Sequence, residues 1–451
     1  MSRTVYREIP FAILPDPHPR PQTLMRILRI SLLLLCCLSP ASSHARQQEA
    51  HNIILMVADG MGLADVTAAR IHQGGQNPTP LSFEKLPVIG YQRTSSANSV
   101  VTDSAAAASA FATGLKHLNG QISCGNSAPA CSDPPPTILE IAKRRGKATG
   151  LVVTSTITHA TPAAFGAHVA SRLCEGEIGR QYILDTGVDI LLGGGIGSNG
   201  RDVRTGSQVR KATMDDDPLF GGGGGGMSEP VAQDHGPCQT YANTTPQETI
   251  DLAKAKGYAV VSTKEDLFSA VKHSRQVLGL FGKPYKTVEA FRLYNERPYP
   301  GHEPTLAEMT QAALTTLSQD PEGFFLLVEG SQVDWRNHDN DTAGMIAEVL
   351  AFDAAVTVVT KQLEAWLIDP KTRKLGTLLM VVSDHETGGF AITGPDGQTA
   401  NTGMIVESAW ISKHHTGEDT VVWSQGPGSS KLSRAIDNTD LFQVMKEAFA
   451  P

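Results

Sequence analysis

Residues 52–59 read Asn-Ile-Ile-Leu-Met-Val-Ala-Asp, an unbroken apolar run closed by an acid. A run this short, with no polar residue to face water, reads as a strand covered on both sides. Similar runs lie at residues 150–154, 188–193, 324–329 and 378–384, most of them ending in an acid or a glycine. Between them fall helical stretches, for example at residues 104–113, 137–145, 247–256 and 305–317. Continuous apolar strands alternating with helices predict an α/β fold. The expected form is a three-layer sandwich with a central, mostly parallel sheet and helices on both faces. In such sheets ligands bind beyond the carboxyl ends of the strands. Asp59, Glu329 and Asp384 all fall there.

Composition agrees with a globular fold. The 451 residues are 40% hydrophobic, 19% charged and 6% aromatic, which excludes a disordered tail, a coiled coil or a collagen-like fibre. The net charge of -8 argues against a nucleic-acid-binding role. Two stretches interrupt the strand–helix alternation. Residues 196–245 are rich in Gly, Asp and Ser, and residues 280–304 hold aromatics and prolines. Both read as surface insertions flanking the site or a subunit contact. Gly195, Gly197 and Gly200 match G-x-G-x-x-G, but Arg201-Asp202-Val203-Arg204 does not open an apolar-faced helix. A dinucleotide site is therefore not expected.

The first 45 residues read as a signal peptide, leaving 46–451 as the folded domain. Arg26 and Arg29 precede an apolar run at residues 30–38, followed by Pro40, Ser42, Ser43, His44 and Ala45. That run is too short to cross a bilayer, and no later run reaches the ~20 apolar residues a span needs. Met25 opens a signal of ordinary length and is the candidate start. Export implies a periplasmic or secreted protein. Cys36 and Cys37 leave with the signal, so Cys124, Cys131, Cys174 and Cys238 remain. Four cysteines in an oxidising compartment predict two disulfides, with three pairings open. No C-x-x-C pair supports a thiolate zinc site instead.

Chemistry-bearing residues gather at the expected strand ends. Asp59 precedes Gly60-Met61-Gly62, Glu329 is followed by Asp334 and His338, Asp384 adjoins His385, and His415 lies nearer the C-terminus. Carboxylates and imidazoles without thiolates suit zinc. Ser104 opens an alanine-rich helix, whose free N–H groups and positive dipole end favour an anion. The competing reading is that Thr102, Asp103 or Ser104 only caps that helix.

These motifs, in this order, resemble those of the alkaline phosphatases. The matching segments are Asp59-Gly60-Met61-Gly62, Thr102-Asp103-Ser104-Ala105, Thr161-Pro162-Ala163-Ala164 with Ser171-Arg172, Val328-Glu329-Gly330 through Asp334 and His338, Ser383-Asp384-His385, and His415-Thr416-Gly417. The resemblance implies one zinc held by Asp334, His338 and His415. It implies a second held by Asp59, Asp384 and His385, with Ser104 as exchangeable ligand and nucleophile. A third site, usually magnesium, would use Asp59, Thr161 and Glu329. Arg172 would clamp the phosphate, and His415 rather than His414 would be the ligand because it directly precedes Thr-Gly. A homodimer and broad phosphomonoester hydrolysis through a phosphoserine are also implied. The alternative is a related two-metal phosphodiesterase or phosphomutase, and Arg172 and Glu329 favour the dianionic monoester.

In one bacterial branch of the family an aspartate and a lysine stand where this chain has His159 and Trp335. His159 is expected beside the third metal, holding magnesium more weakly and itself able to ligate zinc, while Trp335 removes a positive charge near the bound phosphate. Among the cysteines, proximity favours Cys124–Cys131, and Cys174–Cys238 follows by elimination.

Overall fold

The computed structural model describes residues 49–125, 131–196, 238, 245–282, 285–294, 301–372, 376–394 and 399–449. The expected signal peptide and most of the 196–245 insertion lie outside the described residues.

Ten strands form one sheet. They are β1 (Ala50–Ala58), β2 (Val88–Arg93), β3 (Ala148–Val153), β4 (Ile190–Gly193), β5 (Ala259–Val261), β6 (Val277–Leu280), β7 (Phe324–Gly330), β8 (Gly376–Val382), β13 (Thr420–Gln425) and β14 (Ala435–Asp437). Their spatial order is β14-β2-β13-β8-β1-β7-β3-β4-β6-β5. Every pairing is parallel except those of β13, which runs antiparallel to both β2 and β8. Two short ribbons are also present among the described residues: β9 (Glu386–Thr387) with β12 (His415–Thr416), and β10 (Phe390–Ile392) with β11 (Ser408–Trp410).

The apolar runs form strands because both faces of the sheet are covered. Along β1, Ile53, Leu55 and Val57 enter one core cluster, while Ile54, Met56 and Ala58 enter the other. The first cluster packs against the helices Ser104–Thr113, Ile138–Arg144, Ala160–Gly166 and Asp440–Ala448. The second packs against Leu63–Gly74, Leu306–Leu317 and Thr342–Ile368. This is the expected three-layer sandwich.

The helix Thr342–Ile368 is long and apolar enough to cross a membrane by length and composition. Glu348 and Asp353 interrupt its apolar run, so it does not read as a span in the sequence. It is mostly buried, packed against the sheet as a core helix. Both disulfides, Cys124–Cys131 and Cys174–Cys238, are formed as expected. Residues 280–304 depart from the reading as surface chain, since Lys286, Glu289 and Glu303 are buried.

The helix Ser104–Thr113 shows how packing serves the site. All ten of its residues are buried. Alanine keeps its outline small, so its backbone lies close to the Ala160–Gly166 helix while its side chains join the core under the sheet. Ala108→Leu should overpack this contact, costing about 1–3 kcal/mol, and displace Ser104. A lowered urea midpoint together with reduced phosphate release from an aryl phosphate would show it.

Candidate active site

Three parallel strands deliver the acids. Asp59 follows β1 directly, Glu329 lies at the end of β7 opposite Val57, and Asp384 is two residues beyond β8. Because β8, β1 and β7 are adjacent, these carboxylates meet at one edge. The helix Gln332–Asp339, starting just after β7, adds Asp334 and His338 on successive turns. β9 and β12 bring Thr387 opposite His415. Asp59, Glu329, Asp334, Asp384, His338 and His385 are buried to within 2% exposure, and His415 to within 6%.

The side chains fall into three clusters, each with ligand atoms within 4.8 Å of one another. In the first, Asp334, His385 and His415 converge. His338 belongs there too, its Nε2 lying 3.3 Å from Asp334 Oδ2 and 3.2 Å from His415 Nε2. The second joins Asp59, Asp384 and His385. The third joins Asp59, Glu329 and His159. His159 therefore stands among the candidate ligands of the third cluster. The N-terminal cap position of the Ala160–Gly166 helix puts it there.

The donor set fits cations. Both oxygens of Asp59 and of Glu329, Asp384 Oδ2 and Thr161 Oγ1 are buried without a hydrogen-bond partner. Burial, then the neighbouring Asp384, Asp334 and Glu329 charges, pushes the Asp59 carboxyl well above its ordinary range. Burial also raises Glu329 to about 8 and Asp384 to about 6. Burial opposes the charge on Asp334 as well, but His338, His415 and His385 overcome it and hold this carboxyl low. Burial, reinforced by His415, drives His385 well below its usual value, leaving a neutral imidazole. The imidazoles are also aimed: His338 Nδ1 meets Lys413 O at 2.6 Å and His415 Nδ1 meets Thr102 O at 2.9 Å. Their Nε2 atoms are thereby presented to the cluster.

Ser104 Oγ lies 3.2 Å from His385 Nε2. The capping alternative resolves onto its neighbour: Asp103 Oδ1 accepts from Ala106 N at 2.9 Å, which leaves the Ser104 hydroxyl for the site. Asp103 Oδ2 accepts from Gly120 N and, at 3.1 Å, from Arg172 Nη1. The other guanidinium nitrogen, Nη2, lies 3.2 Å from His159 Nε2. Trp335 packs its ring edge-on to His159, 5.9 Å between centroids. His415 is buried in the cluster while His414 is exposed, as the Thr-Gly signature implies.

The family model for alkaline phosphatase matches residues 50–406. The chain belongs to the alkaline phosphatase family. Among curated relatives it is 33% identical to the streptomycin-6-phosphate phosphatase of Streptomyces griseus, over 93% of this chain and 95% of that one. It is 31% identical to the alkaline phosphatase of Escherichia coli (strain K12), over 88% and 86%. Among solved structures, the alkaline phosphatase of the Antarctic bacterium TAB5 superposes with a TM-score of 0.67 at 25% identity, covering 90% of this chain and 99% of that one. A histidine-to-aspartate variant of that enzyme carries Mg in its M3 site. As an alkaline phosphatase the chain is a metal-dependent phosphoric monoester hydrolase by family and fold.

One residue of this alkaline phosphatase escapes a reading of motifs. Thr387 donates to Asp334 Oδ1 at 2.5 Å and lies 3.3 Å from His385 Nδ1, tying two candidate clusters together. Its only signal is its place two residues after His385. Gly60, at φ 74°, passes so close to Asp334 that a Cβ would lie 2.7 Å from Asp334 Cα. Its N–H donates to Asp384 Oδ1 at 3.1 Å.

Ions that bind only the folded chain stabilise it by mass action, about 4 kcal/mol per site at a thousandfold excess over Kd. Stripping metal with a chelator should lower the melting temperature, and added zinc should restore it. A melting temperature indifferent to chelation would contradict the cation reading.

Proposed function

We propose that this alkaline phosphatase is an exported phosphomonoesterase of broad specificity, working through a phosphoserine at Ser104. In this reading two zinc ions are held by Asp334, His338 and His415 and by Asp59, Asp384 and His385. A third ion, magnesium in the ordinary case, is held by Asp59, Thr161 and Glu329 with His159 beside them. The observation that carries the proposal is Ser104 Oγ at a helix N-terminus, 3.2 Å from His385 Nε2, whose ring also meets the buried Asp59 and Asp384 carboxylates.

When bound, zinc lowers the pKa of a coordinated hydroxyl and offsets charge on phosphoryl oxygens. The chain's own residues do the rest. Arg172 presents a planar fork to two phosphoryl oxygens, and Asp103 fixes that fork from behind. The free N–H groups of the Ser104 helix add positive potential. Ser104 Oγ attacks phosphorus, and the bond from phosphorus to the alcohol oxygen breaks. Water then attacks the phosphoserine, the bond from phosphorus to Oγ breaks, and phosphate leaves. Export and a homodimer complete the proposal. Support for export comes from residues 26–45 and from two disulfides suited to an oxidising compartment.

Ser104→Ala should abolish the phosphoenzyme while zinc content stays at two per chain. Acid quench after a labelled monoester, alongside metal analysis, reads both; phosphoprotein in the mutant would count against the mechanism. Arg172→Ala removes charge-assisted hydrogen bonds worth about 1.5–3 kcal/mol, so phosphate inhibition should weaken roughly 10- to 100-fold with metal content unchanged. Diester turnover equal to or better than monoester turnover would instead favour the phosphodiesterase reading.

For the third ion, the imidazole of His159 suits zinc better than magnesium. Added magnesium should activate the purified enzyme slowly, excess zinc should inhibit it, and His159→Asp should tighten magnesium. Equal magnesium affinity in both forms, by isothermal titration, would remove the argument.

A further inference from the structure

Residues 285–287 are bolted to the catalytic framework more firmly than a surface insertion requires. Lys286 N–H donates to Thr154 O, at the end of β3, at 3.2 Å. Lys286 O accepts from Gln332 Nε2 at 2.8 Å, and the same amide donates to Thr154 O at 3.1 Å. Gln332 opens the helix that carries Asp334 and His338. The Lys286 ammonium, itself buried, pairs with buried Glu303 at 3.4 Å. Glu303 also accepts from Thr287 N and Oγ1, at 3.1 and 3.2 Å. Burying an ion pair costs desolvation that hydrophobic residues would avoid. The bond-making steps at Ser104 do not call for it.

What this anchoring delivers is the ring of Tyr285. It meets Trp335 edge-on, with centroids 4.7 Å apart and planes at 66°. Trp335 meets His159, and His159 reaches Arg172. Three rings therefore step outward from the phosphate clamp, starting at the guanidinium nitrogen Nη2. From Gln332 to His338 every residue is buried except Trp335, which like Tyr285 keeps part of its surface in solvent.

We infer that Tyr285 and Trp335 form an aromatic wall at the rim of the site, selecting among phosphomonoesters those whose alcohol carries a flat aromatic ring. This rests on the monoesterase reading above. The phosphoryl group fills the clamp in every monoester, so the wall acts on the alcohol alone. Aromatic pairs at such separations favour edge-on or offset contact, and their strength corresponds to about a 2- to 12-fold preference. Turnover thus stays broad, with a bias on top of it.

Non-hydrolysable phosphonates isolate that bias from chemistry. Inhibition of glycerol 2-phosphate hydrolysis is measured with phenylphosphonate and with methylphosphonate, for wild type, Tyr285→Phe and Tyr285→Ala. Wild type and Tyr285→Phe should bind the phenyl compound about 2- to 12-fold more tightly, and in Tyr285→Ala the ratio should fall toward one. A ratio of one in wild type, or an undiminished ratio in Tyr285→Ala, overturns the wall while leaving monoester hydrolysis standing. Absence of glycerol 2-phosphate hydrolysis in wild type would overturn the monoesterase reading itself, and the wall with it.

Discussion

Four carboxylates, Asp59, Glu329, Asp334 and Asp384, are buried together at one edge of a sheet. Isolated carboxylates lose far more solvation than folding can absorb, unless opposite charge accompanies them. Arg172, the nearby cation described above, is engaged by Asp103. His385 is held neutral by burial and by His415, so it offers a lone pair rather than a balancing charge. The geometry therefore calls for cations supplied from solution. The surrounding structure is the frame that keeps these groups close despite their repulsion.

That frame is built from ordinary parts. Parallel strands end at the same edge, so β8, β1 and β7 place three acids side by side without special loops. Apolar side chains on both faces keep the strands in register, and the energy of that burial holds the acids in place. An alanine-rich helix brings its N-terminus and Ser104 to the same edge. Asp103 caps that helix, holds Arg172 and frees the serine, three tasks joined in one side chain.

Where a signal was local, sequence reading reached it. The runs ending at Asp59 and Glu329 are continuous and apolar, so strand type, burial and edge position were all legible, and the helix 104–113 has the expected bounds. The antiparallel strand β13 was not legible, because Thr420–Gln425 mixes polar with apolar residues and its direction depends on partners far along the chain. The helix Thr342–Ile368 was missed because its acids break the apolar run: Asp353 accepts from Ser82 N, and Glu348 from Glu289 N. The third site was legible as a place for His159, but its approach to both Asp59 and Glu329 needs the helix it caps to pack beside the strand ends. The burial of Lys286 with Glu303 has no local signature either, for each in isolation is a surface residue.

The central claim is that the buried acids and imidazoles hold two zinc ions beside Ser104. Anomalous X-ray diffraction from crystals of the purified protein, collected on either side of the zinc absorption edge, tests it directly. The account predicts two strong peaks, one among Asp334, His338 and His415 and one among Asp59, Asp384 and His385. Crystals grown with zinc that show no peak at either cluster would contradict it.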